Sequence, residues 1–265
     1  MTNIPQLDDL IPIIIRIVDA QLLPRFTHVS ASTKTDGSVV TEADLVTQGA
    51  LTTALEKAWP EIPLLGEEMT EEEQQQLLLN ADYLWCLDPL DGTTNFAAGV
   101  PIFCTSLALL HKGRAILGII YDPIKKECFA AESGNGASLN GEPLVLDSIG
   151  TELAESVAAV DLKRLDTGLA SRVATEQPFR SQRNFGSGAL DWAWLASGRV
   201  QLYLHGGQKL WDYMAGHLIF TEAGGYCSDL NGAAVPSQRL IARSVVAGTN
   251  KPLFEQWQAW IDDNK

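Results

Sequence analysis

Apolar residues recur at helical spacing in two stretches near the start of the chain. Over residues 4–26 the pattern predicts a helix, with two prolines near its start and Pro24 at its end. A second predicted helix begins at Thr-Glu-Ala-Asp, residues 41–44, which resembles a capping box, and its apolar stripe runs up to Pro60. The beginning of the chain therefore predicts two helices that each bury one face.

The next part of the chain has the pattern of short strands. Apolar runs at residues 62–65 and 83–87 predict two buried strands with an acidic helix between them. Residues 104–111 and 114–121 are rich in Ile and Leu and are separated by Lys-Gly, which predicts an antiparallel hairpin. We therefore expect the first half, residues 1–149, to pack helices on a largely antiparallel sheet.

From about residue 150 the pattern changes to alternating strands and helices, as in an α/β layer. The predicted strands are residues 157–160, 200–204 and 244–247, and the predicted helices are residues 189–197, 212–223 and 252–261. No internal repeat or Pro/Ser-rich linker separates this half, residues 150–265, from the first. The pattern predicts an α+β or α/β fold of two tightly fused halves.

Composition narrows the class of protein. The chain has 265 residues, of which 46% are hydrophobic and 20% charged, as in globular proteins. Its net charge of −14 opposes binding to a nucleic acid polymer or an anionic membrane. Its apolar runs fall short of the roughly 20 residues that span a bilayer, and acids stand where a signal peptide carries positive charge. We therefore expect a cytoplasmic protein that binds neither a nucleic acid polymer nor a membrane.

The chemistry is concentrated where the strand at residues 83–87 leads into Asp-Pro-Leu-Asp-Gly-Thr. Asp88 and Asp91 are followed by Gly92 and Thr93, which could expose backbone N–H groups at the start of a helix. Such groups bind phosphate oxygens, whereas two carboxylates repel a phosphate dianion unless cations lie between them. This combination predicts Mg²⁺, which binds carboxylates together with phosphate oxygens. The alternative is an Asp-Pro turn and a helix cap without a ligand.

The sequence at residues 88–93 resembles the signature of the inositol monophosphatase family, which are Mg²⁺-dependent, lithium-sensitive phosphatases. Further segments resemble motifs of the same family: Val-Thr-Glu-Ala-Asp at 40–44, Gly-Glu-Glu at 66–68, Gly-Ser-Gly-Ala at 186–189, Trp-Asp-x-x-Ala-Gly at 211–216 and Glu-Ala-Gly-Gly at 222–225. The resemblance spans roughly residues 34–230. It implies a layered αβαβα sandwich, a homodimer, and hydrolysis of a phosphate monoester.

The resemblance also implies a site between the two halves that holds two or three Mg²⁺ ions. The implied metal ligands are Glu67, Asp88, the backbone carbonyl of Leu90, Asp91 and Asp212. Glu67 accepts a proton from the attacking water in this scheme, Thr93 orients that water, and Asp44 holds Thr93. The implied substrate contacts are Asp91, Gly92, Thr93, Gly186, Ser187, His205 and Asp212. Glu68, one residue further along a strand, is expected to point away into solvent.

The substrate stays open at this point. The continuation Thr94-Asn95-Phe96 resembles the branch that acts on inositol phosphates, whereas the loop Asp36-Gly37-Ser38 resembles the nucleotidase and histidinol-phosphatase branches. His205 departs from the inositol branch, which often has a glutamate there that contacts ring hydroxyls. His205 either weakens selectivity for a polyol or merely ends a strand and faces solvent.

Several alternatives to an inositol monophosphatase follow. Related phosphatases act on 3'(2'),5'-bisphosphonucleosides, histidinol phosphate or fructose bisphosphate. A haloacid-dehalogenase-type phosphatase also uses an Asp-rich motif, but it leaves the Gly-Glu-Glu and Trp-Asp motifs unexplained. A phosphate-binding protein without catalysis is expected to lack a catalytic group, whereas Glu67, Thr93 and Asp44 are all present.

Overall fold

The computed structural model describes residues 4–27, 31–33, 39–146, 150, 152–236 and 240–265. The helices in these ranges are α1 (Leu7–Gln21), α2 (Glu42–Ala58), α3 (Glu71–Asn80), α4 (Thr93–Ala97), α5 (Thr167–Glu176), α6 (Gly188–Ala196), α7 (Leu210–Glu222) and α8 (Lys251–Asn264). The strands are β1 (Ala31–Thr33), β2 (Val39–Thr41), β3 (Leu64–Gly66), β4 (Tyr83–Asp91), β5 (Cys104–His111), β6 (Arg114–Asp122), β7 (Glu127–Glu132), β8 (Gly136–Leu139), β9 (Glu142–Leu144), β10 (Val157–Asp161), β11 (Ser181–Arg183), β12 (Leu202–Gln208), β13 (Tyr226–Ser228) and β14 (Arg243–Gly248).

Two large sheets organise the described part of the chain. The first has seven strands in the order β3-β4-β5-β6-β7-β8-β9, and its β5–β6 pair confirms the predicted antiparallel hairpin. The second has five strands in the order β11-β10-β12-β14-β13, with β10 parallel to both of its neighbours. The first sheet comes from the predicted first half and the second from the predicted second half. The division into two fused domains stays a prediction.

The buried apolar residues form three layers around these sheets. Leu10 of α1 packs with Leu51 of α2 and Trp85 on one face of the seven-stranded sheet. Helices α6 and α7 lie between the two sheets, where Trp192 is fully buried. Helices α5 and α8 cover the outer face of the five-stranded sheet, where Trp257 is fully buried. This αβαβα sandwich confirms the predicted fold.

Two predicted boundaries differ from the observed ones. The first helix runs only from Leu7 to Gln21 and keeps Pro12 in its interior, on the exposed side, where water can solvate the carbonyl that a proline leaves unpaired. Strand β4 does not end at a turn fixed by Pro89 but continues to Asp91. A proline is tolerated there because the pairing with β5 shifts register between Asp88 and Asp91.

Helix α7 lies directly on the seven-stranded sheet. A Cβ atom added to Gly118 of β6 would come within 2.9 Å of the carbonyl oxygen of Ala215 in α7, so a side chain at this position would push the helix away. Asp212 lies in the first turn of the same helix. The backbone contact therefore sets the height of Asp212 above the sheet that carries Asp88.

Two further features of the described residues are the length and apolar content of the helices and the state of the cysteines. None of the helices among the described residues is both long and apolar enough to cross a membrane. The four cysteines are free thiols, and those of Cys86, Cys104 and Cys128 are buried. Burial raises the pKa of the Cys128 and Cys227 thiols to about 12, so both are neutral at ordinary pH.

Candidate metal centre and active site

Three carboxylates from two distant parts of the chain meet at one point. Asp88, Asp91 and Asp212 each contribute an oxygen to a group in which all the oxygens lie within 4.8 Å of one another. Asp88 and Asp91 lie on β4, and Asp212 lies at the start of α7. The side chain of Asp88 is almost completely buried, and the other two are half-buried. The structure thus brings together three of the predicted metal ligands.

The register shift in β4 explains how two aspartates three residues apart face the same way. Residues i and i+3 of a regular strand point to opposite faces of a sheet. Here Asp88 pairs with Ser106 and Asp91 with Cys104, so two residues of β4 stand opposite the single residue Thr105 of β5. Such a bulge restores a common direction for Asp88 and Asp91. The Asp-Pro-Leu-Asp sequence therefore forms a β-bulge, which directs the side chains of Asp88 and Asp91 to the same face of the sheet.

The three carboxylates destabilise one another in the absence of a cation. Burial, followed by the charges of Glu67, Asp91 and Asp212, raises the pKa of Asp88 well above its usual value. Burial also raises the pKa values of Asp91 and Asp212. A buried group of like charges favours protonation unless a positive charge is added. A hard divalent cation fits this group, because carboxylate oxygens are its preferred ligands.

Hydrogen bonds orient each carboxylate of the group. The N–H of Leu90 donates to Oδ1 of Asp88 at 3.0 Å, and the N–H of Lys209 donates to Oδ2 of Asp212 at 2.8 Å. Oδ2 of Asp91 accepts from the hydroxyl of Ser187 at 2.6 Å and from the N–H of Ala189 at 2.7 Å. These bonds hold the side chains in fixed directions, as a preorganised ion site requires.

Glu67 and Glu68 lie in a turn that follows β3, held by a hydrogen bond of 2.8 Å from Nε2 of Gln74 to the carbonyl of Gly66. The charge of Glu67 raises the pKa values of Asp88 and Asp212, so its carboxylate lies near the group of three. Glu68 is half-buried, like Glu67, and its charge contributes to raising the pKa of Asp44. Its expected direction into solvent stays a prediction.

Asp44 and Thr93 are hydrogen-bonded, as the resemblance implied. Oγ1 of Thr93 lies 3.0 Å from Oδ1 of Asp44 and 2.9 Å from the carbonyl oxygen of Leu90. Oδ2 of Asp44 accepts from both the N–H and the hydroxyl of Thr41 at 2.7 Å, which confirms the predicted capping box. Burial raises the pKa of Asp44, and these hydrogen bonds oppose that shift.

Gly92 and Thr93 start the short helix α4. Gly92 is its N-cap residue, with a φ of 93°, and Thr93 is its first residue. The N–H of Phe96 donates to the carbonyl of Gly92 at 3.0 Å. This is the first hydrogen bond of α4. The N–H groups of Gly92 and Thr93 come before it in the chain, directly after Asp91.

The segment around Gly186 lies next to this helix. Nδ2 of Asn95 donates to the carbonyl of Phe185 at 2.7 Å and to that of Ile102 at 2.9 Å, which ties α4 to the loop before α6. Gly186 is exposed, whereas Ser187 is 1% exposed and is bonded to Asp91. The role of Asn95 was missed, because nothing in the sequence shows that the two loops meet.

His205 is not at the end of a strand and does not face solvent. It lies inside β12, and the residue is only 9% exposed. Its Nδ1 accepts from the N–H of Gly207 at 3.1 Å, and its Nε2 lies 3.4 Å from Oδ2 of Asp161. The solvent-facing reading of His205 is therefore wrong, because β12 continues past it to Gln208. The loop Asp36-Gly37-Ser38 lies outside the described residues.

The chain is similar to known proteins in both sequence and structure. A curated relative from Pasteurella multocida, named Nus factor SuhB, is 36% identical over 78% of this chain and 78% of its own length. Another, named Inositol-1-monophosphatase, from Mesorhizobium japonicum, is 33% identical over 85% of this chain and 88% of its own length. The solved structure of an IMPase from Thermotoga maritima is 28% identical, with a TM-score of 0.83 over 96% of this chain and 97% of that one.

The family comparison covers almost the whole chain. Residues 9–260 match the model of the inositol monophosphatase family. The matched range contains both sheets and all the carboxylates of the candidate site. By this match and by the fold it shares with a solved member, the chain belongs to the inositol monophosphatase family.

Proposed function

We propose that the protein is a Mg²⁺-dependent phosphatase of phosphate monoesters, with an inositol monophosphate as its substrate. The observation that carries the proposal is the group of three carboxylates, Asp88, Asp91 and Asp212, beside the hydrogen-bonded pair of Asp44 and Thr93. Membership of the family supports phosphatase chemistry. The relative named Inositol-1-monophosphatase supports the choice of substrate.

Two or three Mg²⁺ ions are held by the acidic residues of the site. The proposed ligands are Glu67, Asp88, the carbonyl oxygen of Leu90, Asp91 and Asp212. When bound, Mg²⁺ supplies positive charge that lowers the pKa of a bound water and balances the charge of the phosphate. The pKa values of Asp88, Asp91 and Asp212 support this assignment: burial raises all three, and the charges of neighbouring carboxylates raise those of Asp88 and Asp212 further, which a cation would offset.

Thr93 and Asp44 orient the attacking water. When the hydroxyl of Thr93 donates its single hydrogen to Oδ1 of Asp44, its lone pairs face outward and accept a hydrogen from the water. Asp44 is itself held by two hydrogen bonds from Thr41. Glu67 accepts the proton that the water loses on attack. In this proposal Asp44 is a positioning residue, and Thr93 and Glu67 touch the reacting atoms.

The phosphoryl group lies against the start of α4. The N–H groups of Gly92 and Thr93 donate to its oxygens, which suits their place before the first helical hydrogen bond. Asp91, Asp212 and Gly186 border the rest of the substrate. Ser187 acts differently from the prediction: because it is buried and donates to Asp91, it positions that carboxylate and does not contact the substrate.

A phosphate-release assay tests the proposal. Inositol 1-phosphate, a 3'(2'),5'-bisphosphonucleoside, histidinol phosphate, fructose bisphosphate and phenyl phosphate are compared with and without Mg²⁺. We expect turnover only with the ion, and the highest kcat/KM for inositol 1-phosphate. Thr93→Val should abolish most of the rate, whereas Thr93→Ser keeps the hydroxyl and should retain it. Turnover without added ion in a chelator, or a Thr93→Val variant as fast as the wild type, would contradict the proposal.

A second candidate is a protein that binds phosphate and Mg²⁺ without turnover. The name Nus factor SuhB given to a 36% identical relative is the observation that favours testing it. Calorimetric binding of inorganic phosphate in the presence of Mg²⁺, together with no release from any of the five substrates, is the result that supports this candidate. The haloacid-dehalogenase alternative is wrong, because the chain belongs to another family.

The proposal also includes a homodimer, a cytoplasmic location and inhibition by Li⁺. The homodimer and the inhibition come from the family resemblance, the location comes from the composition of the sequence, and none of the three comes from the geometry of the site. Light scattering at micromolar concentration measures the oligomeric state, and a Li⁺ titration at fixed Mg²⁺ measures inhibition. A monomeric mass contradicts the first, and full activity at high Li⁺ contradicts the last.

A further inference from the structure

Both ring nitrogens of His205 are already occupied. The N–H of Gly207 donates to Nδ1 at 3.1 Å, so this nitrogen carries the lone pair and the hydrogen of the neutral ring lies on Nε2. Nε2 faces Oδ2 of Asp161 at 3.4 Å. Each ring nitrogen of His205 therefore already faces a partner within the protein.

Asp161, in contrast, keeps hydrogen-bonding capacity. It is the last residue of β10 and pairs with His205 in the parallel register of β10 and β12. Its Oδ1 accepts from the N–H of Lys163 at 3.0 Å, and its Oδ2 faces His205. Each carboxylate oxygen has two lone pairs, so one on each oxygen stays available. The side chain is 21% exposed, which leaves room for a ligand to reach it.

The surroundings of Asp161 keep it ionised. Burial opposes the charge of Asp161, but the contact with His205, the N–H of Lys163 and the charge of Arg164 together lower its pKa. An ionised carboxylate accepts hydrogen bonds only and repels a second anionic group. Asp161 thus has the chemistry of an acceptor for neutral hydroxyl groups.

Backbone contacts place Asp161 on the side of the molecule that carries the proposed site. Asp161 pairs with His205 of β12, and the end of β12 packs on the start of α6, where a Cβ atom added to Gly188 would lie 2.9 Å from Nε2 of Gln208 and 3.7 Å from the Cβ of Asp212. The charge of Arg164 lowers the pKa values of both Asp161 and Asp212, so the guanidinium lies within range of both. Asp191, which is 6% exposed, has its pKa raised by burial and by the charges of Asp91 and Asp161. Asp161 therefore lies on the same side of the molecule as the three carboxylates, although it is not one of them.

The segment that follows Asp161 is held tightly against β12. A Cβ atom added to Gly206 would lie 1.7 Å from the carbonyl oxygen of Arg164 and 2.9 Å from the nitrogen of Leu165. Only glycine allows the two backbones to approach this closely. The contact fixes Asp161 and Arg164 relative to His205, so the pair of Asp161 and His205 is built into the fold.

We propose that Asp161 determines specificity by accepting hydrogen bonds from the hydroxyls of a polyol monophosphate, and that His205 is a positioning residue that holds Asp161 in place. The inference deepens the phosphatase function proposed above and rests on it. It replaces the expectation that His205 itself contacts the polyol. A substrate with a second phosphate near Asp161 is disfavoured, because the two anions repel each other.

The test compares two substrates that differ in their hydroxyl groups. Inositol 1-phosphate has hydroxyls next to the phosphate, and phenyl phosphate has none. We expect Asp161→Ala to lower the ratio of their kcat/KM values by about 10- to 100-fold, the usual range for a hydrogen bond to a charged group, mainly through KM for inositol 1-phosphate. Asp161→Asn keeps the shape of the side chain and a weaker acceptor, so it should lower the ratio less.

Two further variants separate positioning from general structure. His205→Phe keeps a ring but removes both of its hydrogen bonds, and it should lower the same ratio by a smaller factor than Asp161→Ala. His205→Gln can still donate to Asp161 and should restore part of the ratio. Asp166→Asn is the matched control: it removes one negative charge from the same segment, and asparagine preserves the cap of α5 that Asp166 forms. We expect this control to leave the ratio unchanged.

The outcomes distinguish this inference from the proposed function. A wild type that hydrolyses neither substrate contradicts the phosphatase function and the inference with it. A wild type that hydrolyses both, with a ratio that Asp161→Ala or Asp161→Asn leaves within about twofold, contradicts the inference alone. An equal loss on the two substrates shows a structural role and also overturns it. If Asp161→Ala does not fold, the Asp161→Asn variant supplies the ratio.

Discussion

Asp88 and Asp122 lie on the same seven-stranded sheet, and both are buried, at 2% and 0% exposure. Asp122 is balanced locally. Its Oδ2 lies 2.8 Å from Nζ of Lys125, and its Oδ1 accepts from the N–H groups of Ile124 and Lys125 at 2.9 Å. Asp88 accepts a hydrogen bond from the N–H of Leu90, but the charges that shift its pKa after burial are those of other carboxylates, and they raise it.

This difference separates a structural acid from an acid of the candidate site. The cation that balances Asp122 lies three residues along the chain, so the fold supplies everything that this side chain needs. The group around Asp88 collects negative charge from β4, from α7 and from the turn after β3. Burying such a group is unfavourable unless an ion from solution joins it. The comparison therefore supports the proposed binding of an external cation at this site.

The largest expected effect is on catalysis. Asp88→Asn should lower kcat/KM by at least about a thousandfold at saturating Mg²⁺, because Asp88 lies at the centre of the proposed ion site. Asp122→Asn is the matched control on the same sheet and should stay within a few-fold of the wild type. Phosphate release from the best substrate measures both. An Asp88→Asn variant within tenfold of the wild type would remove Asp88 from the proposed site.

The second effect is on stability in the presence of the ion. Mg²⁺ at a hundred times its dissociation constant should raise the free energy of unfolding of the wild type by about 2.7 kcal/mol, because the ion binds the folded state. Asp122→Asn should keep this increase, and Asp88→Asn should lose most of it. Thermal unfolding with Mg²⁺ and after metal removal gives the difference. Equal increases in both variants would mean that the ion binds elsewhere.

The smallest effect appears in the metal-free protein, where the two substitutions should have opposite signs. Asp88→Asn removes one of several repelling charges and should stabilise the protein. Asp122→Asn leaves Lys125 without its partner and should destabilise it by about 1 kcal/mol, since that lysine is partly exposed. Urea unfolding of metal-free samples measures both. Destabilisation by Asp88→Asn under these conditions would contradict the repulsion.

The effect of Asp88→Asn also has an expected pH dependence. The folded pKa values of Asp88, Asp91 and Asp212 are raised, so these groups favour folding below their unfolded pKa of about 3.9 and lose that contribution as pH rises through the folded values. The advantage of Asp88→Asn over the wild type should therefore grow from about pH 4 upward. An advantage that is constant with pH would argue against coupled carboxylates.

Much of the fold was predictable because its signals are local. The turn at Lys-Gly between residues 104–111 and 114–121 predicted the β5–β6 hairpin, and Thr41 with Asp44 predicted the start of α2. The candidate ligands were found because Asp88 and Asp91 lie in one short motif. Helix α5 was not predicted, because only Leu169 and Val173 are buried along it. Two apolar residues are a weak periodic signal.

The parts that the sequence does not reveal depend on contacts between distant segments. Asp161 meets His205 only because β10 and β12 are parallel neighbours, and a strand order is not visible in a local pattern. The bulge in β4 depends on how β5 pairs with it, so the common direction of Asp88 and Asp91 could be inferred only from the chemistry they share. For the same reason the hydrogen bond from Ser187 to Asp91 could not be predicted from the sequence.

The contact between Gly118 and Ala215 has a consequence for the choice of ion by size. The helix α7 contacts the sheet there through backbone atoms. Because no side chain of residue 118 lies between them, a side-chain rotation at that contact cannot change the spacing between Asp212 and Asp88. Mg²⁺ takes its oxygens at about 2.0–2.1 Å and Ca²⁺ at about 2.3–2.6 Å, and the larger ion prefers a more flexible set of ligands. In the proposed site, this close contact beneath the helix of Asp212 would favour the smaller ion, and a larger side chain at residue 118 would relax that preference by moving the helix away from the sheet.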